Sequence, residues 1–219
     1  ALQSQASQIL DLVKAAGASG DLIVDQGQSL SLKARDGALE EYKVSSSQIL
    51  GLRVIKDGRV GTAYSEATDT DALKSLVEQA LLNASFAAVD SCEAILANDA
   101  VLHTDDQLLC PDEDVVIDAQ IEFALTMERN LAAQSKVKSV PYNGVQDNVG
   151  ERRIFSSAGL SAYSKARMCA AYAYALVEDG EKNAMDGVGQ VARLFSDLDL
   201  EQIVARTHKN CLSFLDGTP

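Results

Sequence analysis

The chain has 219 residues, 47% of them hydrophobic and 23% charged, which is ordinary globular composition and enough to bury a core without disulfides or a structural metal. With 19 basic against 32 acidic residues the formal charge is -13, which argues against direct nucleic-acid binding, because a phosphate backbone rewards clustered Lys and Arg. No run approaches the ~18 consecutive apolar residues of a membrane helix, and Ala1-Leu2-Gln3 lacks the basic flank and apolar stretch of a secretory signal.

Residues Leu2 to Ala16 place Leu2, Ala6, Ile9, Leu10 and Val13 at helical spacing, with Gly17 as a C-terminal stop. Sheet follows. A strand starts at Asp21–Asp25, and Ser29–Arg35 alternates with period two. Asp36-Gly37 then signals a tight hairpin turn, because such turns demand positive φ. Ala38–Ser46 returns, with Leu39, Glu41 and Lys43 on one face and Glu40, Tyr42 and Val44 on the other. Ile49–Lys56 ends at a second turn signal, Asp57-Gly58, and Arg59–Tyr64 comes back. The spacing predicts an antiparallel meander of four strands.

Asp69 to Ala88 reads as a helix with Leu73, Leu76, Val77, Ala80, Leu81 and Ala84 in one stripe and Thr68, Asp69 or Thr70 as cap. Residues Asn98 to Asp114 read as an acidic surface connection, and a helix is predicted from about Val115 to Gln134. Four or five strands follow, at Val137–Val149, Arg152–Ser156, Leu160–Ala166, Met168–Val177 and Asn183–Val191. In the Met168–Val177 strand, small residues on one side would admit a closely packed helix. A last helix spans about Asp199 to Leu215, and Asp216-Gly217-Thr218-Pro219 reads as the opening of a further connection. The expected fold is α+β, two-layered, with antiparallel β-meanders covered by helices in the order α-β(4)-α-α-β(4 to 5)-α. Residues 1–90 would form one lobe and 91–219 a second, or the two would join in one domain, since no Gly/Ser linker separates them.

The search for chemistry is largely negative. The two histidines, His103 and His208, stand 105 positions apart, and no HExxH or HExxxH occurs. His208 and Cys211 share a helical face but make only half a metal site. A core Cys with a His at the helix edge is the plainer reading. His103 with Cys110 has the ingredients of a base and nucleophile, placed in a loop without orienting structure. Asp112, Asp114 and Asp118 lack the Gly and terminal Glu of a calcium loop, and their acids suit a helix N-terminus better. Gly187-Val188-Gly189 is not followed by a phosphate-loop Lys, and Arg152-Arg153 is too small for a nucleic-acid footprint. Four cysteines without a CxxC point to a reducing cytoplasm, with two long-range disulfides left open. Glu40 and Glu41, adjacent on a strand, face opposite ways and suit a salt-linked surface near Arg35, Lys43 or Arg53, or a rim that contacts substrate or a partner domain.

Arg35, Gly37 and Glu40 fit a pattern R-x-G-x-x-E, and Gly51, Leu52, Arg53, Val54, Gly58 and Gly61 fit G-L-R-V-x-x-x-G-x-x-G. Together they resemble the N-terminal signature of the TldD/PmbA family, also called TldE and modulator of DNA gyrase. Asn148 to Gly159 loosely resembles the family's strand-turn segment, and the likeness is closer to the PmbA branch. The resemblance implies the N-terminal, non-catalytic part of a metalloprotease system, of roughly half the family's length. Its C-terminal domain would be missing, and it would supply a substrate chamber and a dimerisation surface for peptide maturation or degradation. It implies a peptide substrate, which exposed strand edges would suit, and a homodimer or a heterodimer with a TldD-like subunit. No cofactor is expected in this chain, zinc belonging to the catalytic partner. Arg35, Glu40, Glu41 and Arg53 become candidates for substrate or partner contact, and Gly37, Gly51, Gly58 and Gly61 for structural turns. Two alternatives remain: a Cys110/His103 peptidase, and a structural or regulatory protein linked to DNA gyrase.

Overall fold

A computed structural model describes residues 2–97, 105–215 and 217. The elements, in chain order, are α1 (Leu2–Ala15), β1 (Ser19–Arg35), β2 (Ala38–Lys56), β3 (Arg59–Ser65), α2 (Thr70–Phe86), α3 (Asp106–Leu109), α4 (Ile117–Ala132), β4 (Val137–Ser156), β5 (Ser161–Asp179), β6 (Lys182–Ala192) and α5 (Leu200–Leu215). The strands form one six-stranded sheet in the order β3-β2-β1-β4-β5-β6. The fold is α+β, as expected.

Both Asp-Gly signals are hairpin turns. Asp36 and Gly37 have φ of 53° and 76°, and Asp57 and Gly58 have 51° and 68°, so each turn has the two positive φ values of type I′. Gly37 and Gly58 are therefore turn residues. Gly51 and Gly61 are not: Gly51 lies inside β2 and Gly61 inside β3. At Gly61 the reason for a glycine is space, because a β-carbon would collide with the Ala80 carbonyl oxygen and the Ala84 amide of α2.

The strand count differs from the expectation. In the first meander the predicted Ala38–Ser46 and Ile49–Lys56 merge into the single long strand β2, leaving three strands, and up to five merge into three in the second. Polar stretches such as Gln26-Gly27-Gln28 and Ser45-Ser46-Ser47 resemble breaks, yet they stay in the ladder because neighbouring strands pair with them. Cross-strand contacts Gln26–Gln48 (2.6 Å) and Ser29–Ser45 (2.6 Å) lie on these stretches. The predicted acidic connection contains the single-turn helix α3. The acids there do not cap α4, whose N-cap is Val116 without a side-chain bond. α2 is capped as expected, with Asp69 accepting from the Ala72 amide.

The chain divides into two compact units, each assembled from separated stretches: residues 1–27, 47–105 and 150–165, and residues 28–46, 106–149 and 166–219. The division crosses the long strands and does not follow residue 90. In the first unit α1 and α2 cover one sheet face, burying Ile9, Val13, Leu73 and Val77 against Leu22, Val24, Leu52 and Val54. In the second, α4 and α5 bury Met127, Leu131, Ile203 and Val204 against Leu32, Ala34 and the small side of β5, Cys169 to Ala175. That small side lets α5 come very close. Thr207 Oγ1 donates to the Ala173 carbonyl (3.3 Å), and Cys211 Sγ donates to that of Ala175 (3.3 Å).

Candidate functional site

The β1–β2 hairpin of the second unit carries Arg35, Glu40 and Glu41. Glu41 reaches across the strand pair to Lys33 Nζ (3.0 Å) and accepts from Ser31 Oγ (3.1 Å). The Lys33 hydrogen bond holds the Glu41 carboxyl below its ordinary range and raises the Lys33 ammonium in return. Glu40 bonds Arg35 Nη1 at 3.3 Å. All of these groups are solvent-exposed or half-exposed, so the pairs are worth little as stability. Arg53 belongs to the first unit. Its Nε and Nη2 fork onto Asp21 (3.1 and 2.6 Å) and its Nη1 reaches Glu93 (2.8 Å), so its guanidinium is held bidentately in place.

The hairpin is fixed from below by a residue that sequence reading missed. Glu128, on the buried face of α4 and only 6% exposed, accepts the main-chain amides of Asp36 (2.6 Å) and Gly37 (3.1 Å). A carboxylate thus satisfies the two amides at the apex of the turn. Asn143 does similar work beside it, accepting from the Ala34 amide and donating to the Ala124 carbonyl, each at 3.3 Å. Arg35, Asp36, Gly37, Glu128, Lys138 and Pro141 line a groove of about 560 Å³. The signal was present: Glu128 falls in the helix's apolar stripe, between Ala124 and Leu131.

A second missed cluster is built around a buried arginine. The Arg167 side chain is 8% exposed and forks onto Asp147 (3.1 and 2.7 Å), with Glu113 at 3.2 Å. Gln120 donates to Asp147 (3.0 Å), and Glu113 accepts the amides of Phe195 (2.6 Å) and Ser196 (2.9 Å). Burial opposes the charge of both carboxylates. The hydrogen bonds and the guanidinium outweigh it, and both are held below their usual range. The Asp147 bond raises Arg167 well above its usual value. Burial pushes the neighbouring Cys169 thiol up to about 12, which makes it an unreactive thiol. The arrangement pins five segments together, the connection before α4, α4, β4, β5 and the stretch after β6, and offers no group poised for proton transfer.

All four cysteines are free thiols. Cys211 is buried and bonded to main-chain carbonyls, whereas His208 Nε2 sits 2.9 Å from the Ser135 carbonyl oxygen. Cys110 closes α3, its amide donating to the Asp106 carbonyl (2.8 Å). His103, its proposed base, lies outside the described residues. Among the described residues no three His, Cys, Asp or Glu side chains gather in a way that fits a metal ion. His208 and Cys211, the nearest thing to a half-site, are turned to main-chain carbonyls, so these residues do not fit zinc. None of the described helices is long and apolar enough to cross a membrane.

The six-stranded sheet, with helices packed on it in each unit and two Asp-Gly hairpins, defines an α+β class of β-meanders backed by helices. The family models give that class its identity. PmbA/TldA metallopeptidase domain 1 matches residues 20–84, and the PmbA/TldA metallopeptidase central domain matches residues 110–212. The chain belongs to the PmbA/TldD family. It is 28% identical over 148 residues to the metalloprotease PmbA homolog of Haemophilus influenzae, a match covering 67% of this chain and 33% of that protein. The fold matches a protein named for modulation of a DNA gyrase from Thermotoga maritima (TM-score 0.83, 19% identity), covering 100% of this chain and 49% of that one. It also matches TldE from Thermococcus kodakarensis (TM-score 0.77, 16% identity), covering 95% and 47%. The chain thus spans about half the length of these solved relatives.

Proposed function

We propose that this chain is the non-catalytic N-terminal and central part of a PmbA/TldD-like peptidase system. It shapes the space in which a peptide is held and meets a zinc-bearing, TldD-like subunit. The observation that carries the reading is the pair of family matches, domain 1 followed by the central domain, in a sequence whose two histidines stand 105 positions apart. A metallopeptidase centre needs two or three imidazoles or carboxylates around one open position, and the motif for that is not in these residues. In this reading the system works in the cytoplasm on peptides awaiting maturation or degradation. Arg35, Glu40 and Glu41 form a rim for peptide or partner. Arg53, its donors taken by Asp21 and Glu93, stiffens its own part of the sheet.

The test is reconstitution. The chain alone is expected to show no chelator-sensitive peptide hydrolysis, and to co-elute with a TldD-like subunit and raise that subunit's turnover. Chelator-sensitive hydrolysis that follows the lone chain through purification overturns the proposal.

A further inference from the structure

β3 pairs with β2 only from Leu50 to Lys56, opposite Ser65 to Arg59. β2 itself begins at Ala38, and the strand order places only β3 on its outer side. The stretch from Ala38 to Ser46, in the second unit, therefore has an inner edge paired in the hairpin and an outer edge with no strand against it among the described residues.

Register shows which main-chain groups face outward. The two-residue turn Asp57-Gly58 closes on Lys56 and Arg59, so the even-numbered residues of β2 exchange N–H and C=O with β3. The cross-strand pairs Asp21–Arg53, Gln26–Gln48, Ser29–Ser45 and Lys33–Glu41 keep one constant register between β1 and β2. No residue is inserted along the way, and the alternation holds as far as Glu41. The N–H and C=O of Tyr42, Val44 and Ser46 thus lie on the outer edge. Soluble proteins normally shorten, bulge or charge such an edge. Here Tyr42 is 55% exposed and Val44 64%, both on one face, and between Tyr42 and Ser46 the sole charge is Lys43.

The geometry points to this edge as a docking strand for an extended segment of another polypeptide, recognised by its main chain at Tyr42, Val44 and Ser46. Alternate apolar residues of the segment would lie beside Tyr42 and Val44. A row of alternating donors and acceptors is satisfied by an extended backbone, and β3 shows the same edge already taking a strand one stretch further on. A neutral or basic peptide suits it better than a second copy, which brings another -13 charges. The inference rests on the peptide-handling role proposed above and names where in this chain the peptide sits.

The probe is a short, end-blocked, fluorescent peptide of alternating valine and threonine with lysine at each end, titrated with the full chain by anisotropy. Saturable binding is expected. Methylating the probe's alternate main-chain nitrogens should weaken it about tenfold, the value of one or two lost hydrogen bonds. Val44→Pro removes one outward N–H while leaving the pairing with β1, and should weaken the parent probe similarly with an unchanged thermal melt. If Val44→Pro does not fold, the methylated probe decides alone. No saturable binding, equal binding of the methylated probe, or full binding by folded Val44→Pro overturns the inference. So does a concentration-dependent doubling of mass that Val44→Pro abolishes, which assigns the edge to a second copy. Probe binding through this edge without any stimulation of a TldD-like subunit would sink the proposed function and leave the edge standing. Stimulation that Val44→Pro leaves intact would do the reverse.

Discussion

Gly61 of β3 lies against Ala80 of α2 with no room between them for a β-carbon. Strand and helix meet there backbone to backbone, and Ala80 and Ala84 are themselves buried. The obstacle to a larger residue is main chain, which cannot swing aside as a flexible side chain can.

Gly61→Ala is accordingly expected to destabilise the protein by about 3 kcal/mol, at the upper end for an overpacked site. Gly51→Ala, at a position with open space where a β-carbon would sit, should fall within about 0.5 kcal/mol of the parent. Denaturant unfolding checks both. A Gly61→Ala midpoint equal to the parent's would show that α2 can shift outward at no cost.

Glu128 makes a separate prediction about the hairpin. Glu128→Leu fills the volume but leaves the turn amides of Asp36 and Gly37 without their acceptor, at a cost of about 2 kcal/mol. Glu128→Gln retains one acceptor oxygen and should cost about 1 kcal/mol. Amide hydrogen exchange at Asp36 and Gly37 should accelerate in the order parent, Gln, Leu. Unchanged protection in the Leu variant would mean that the turn is held by its backbone alone.

The Arg167 cluster predicts an acid limb. Glu113 and Asp147 have carboxyls held lower in the folded protein than in the unfolded chain. Their contribution is therefore complete above the ordinary carboxyl range and is lost as pH falls through the lowered folded values. Stability should begin to decline below about pH 4.5, with proton uptake on unfolding. Asp147→Asn should cost about 3 kcal/mol at neutral pH by leaving Arg167 buried and under-paired, and should flatten the acid limb. A variant that keeps the parent's slope below that pH would show that other carboxylates carry it.

The local chemistry of the turns was readable from the sequence, because Asp-Gly between alternating runs specifies positive φ whatever surrounds it. The four long helices were readable from their stripes, and the small residues of β5 signalled that a helix packs there, whereas the single-turn α3 left no stripe to read. The long strands were less readable. Ser45-Ser46-Ser47 has the composition of a break, and pairing supplied by β1 keeps it extended. Glu113 was lost among Asp112 and Asp114 because its partner Arg167 comes much later in the chain, and no periodicity marks an ion pair of that kind. Glu128 could have been found, since a carboxylate inside an apolar stripe requires a buried partner.

The interleaving of the two units bears on how the polypeptide is made. Ser157 exchanges hydrogen bonds with Gly20, and Phe155 packs into the core built from α1 and α2. During translation the first unit must wait for residues 150–165 to leave the ribosome, long after its own helices have emerged. A nascent chain halted near residue 90 would present Leu22, Val24, Leu52 and Val54 without that closing strand, so early release products should be chaperone clients and not folded fragments.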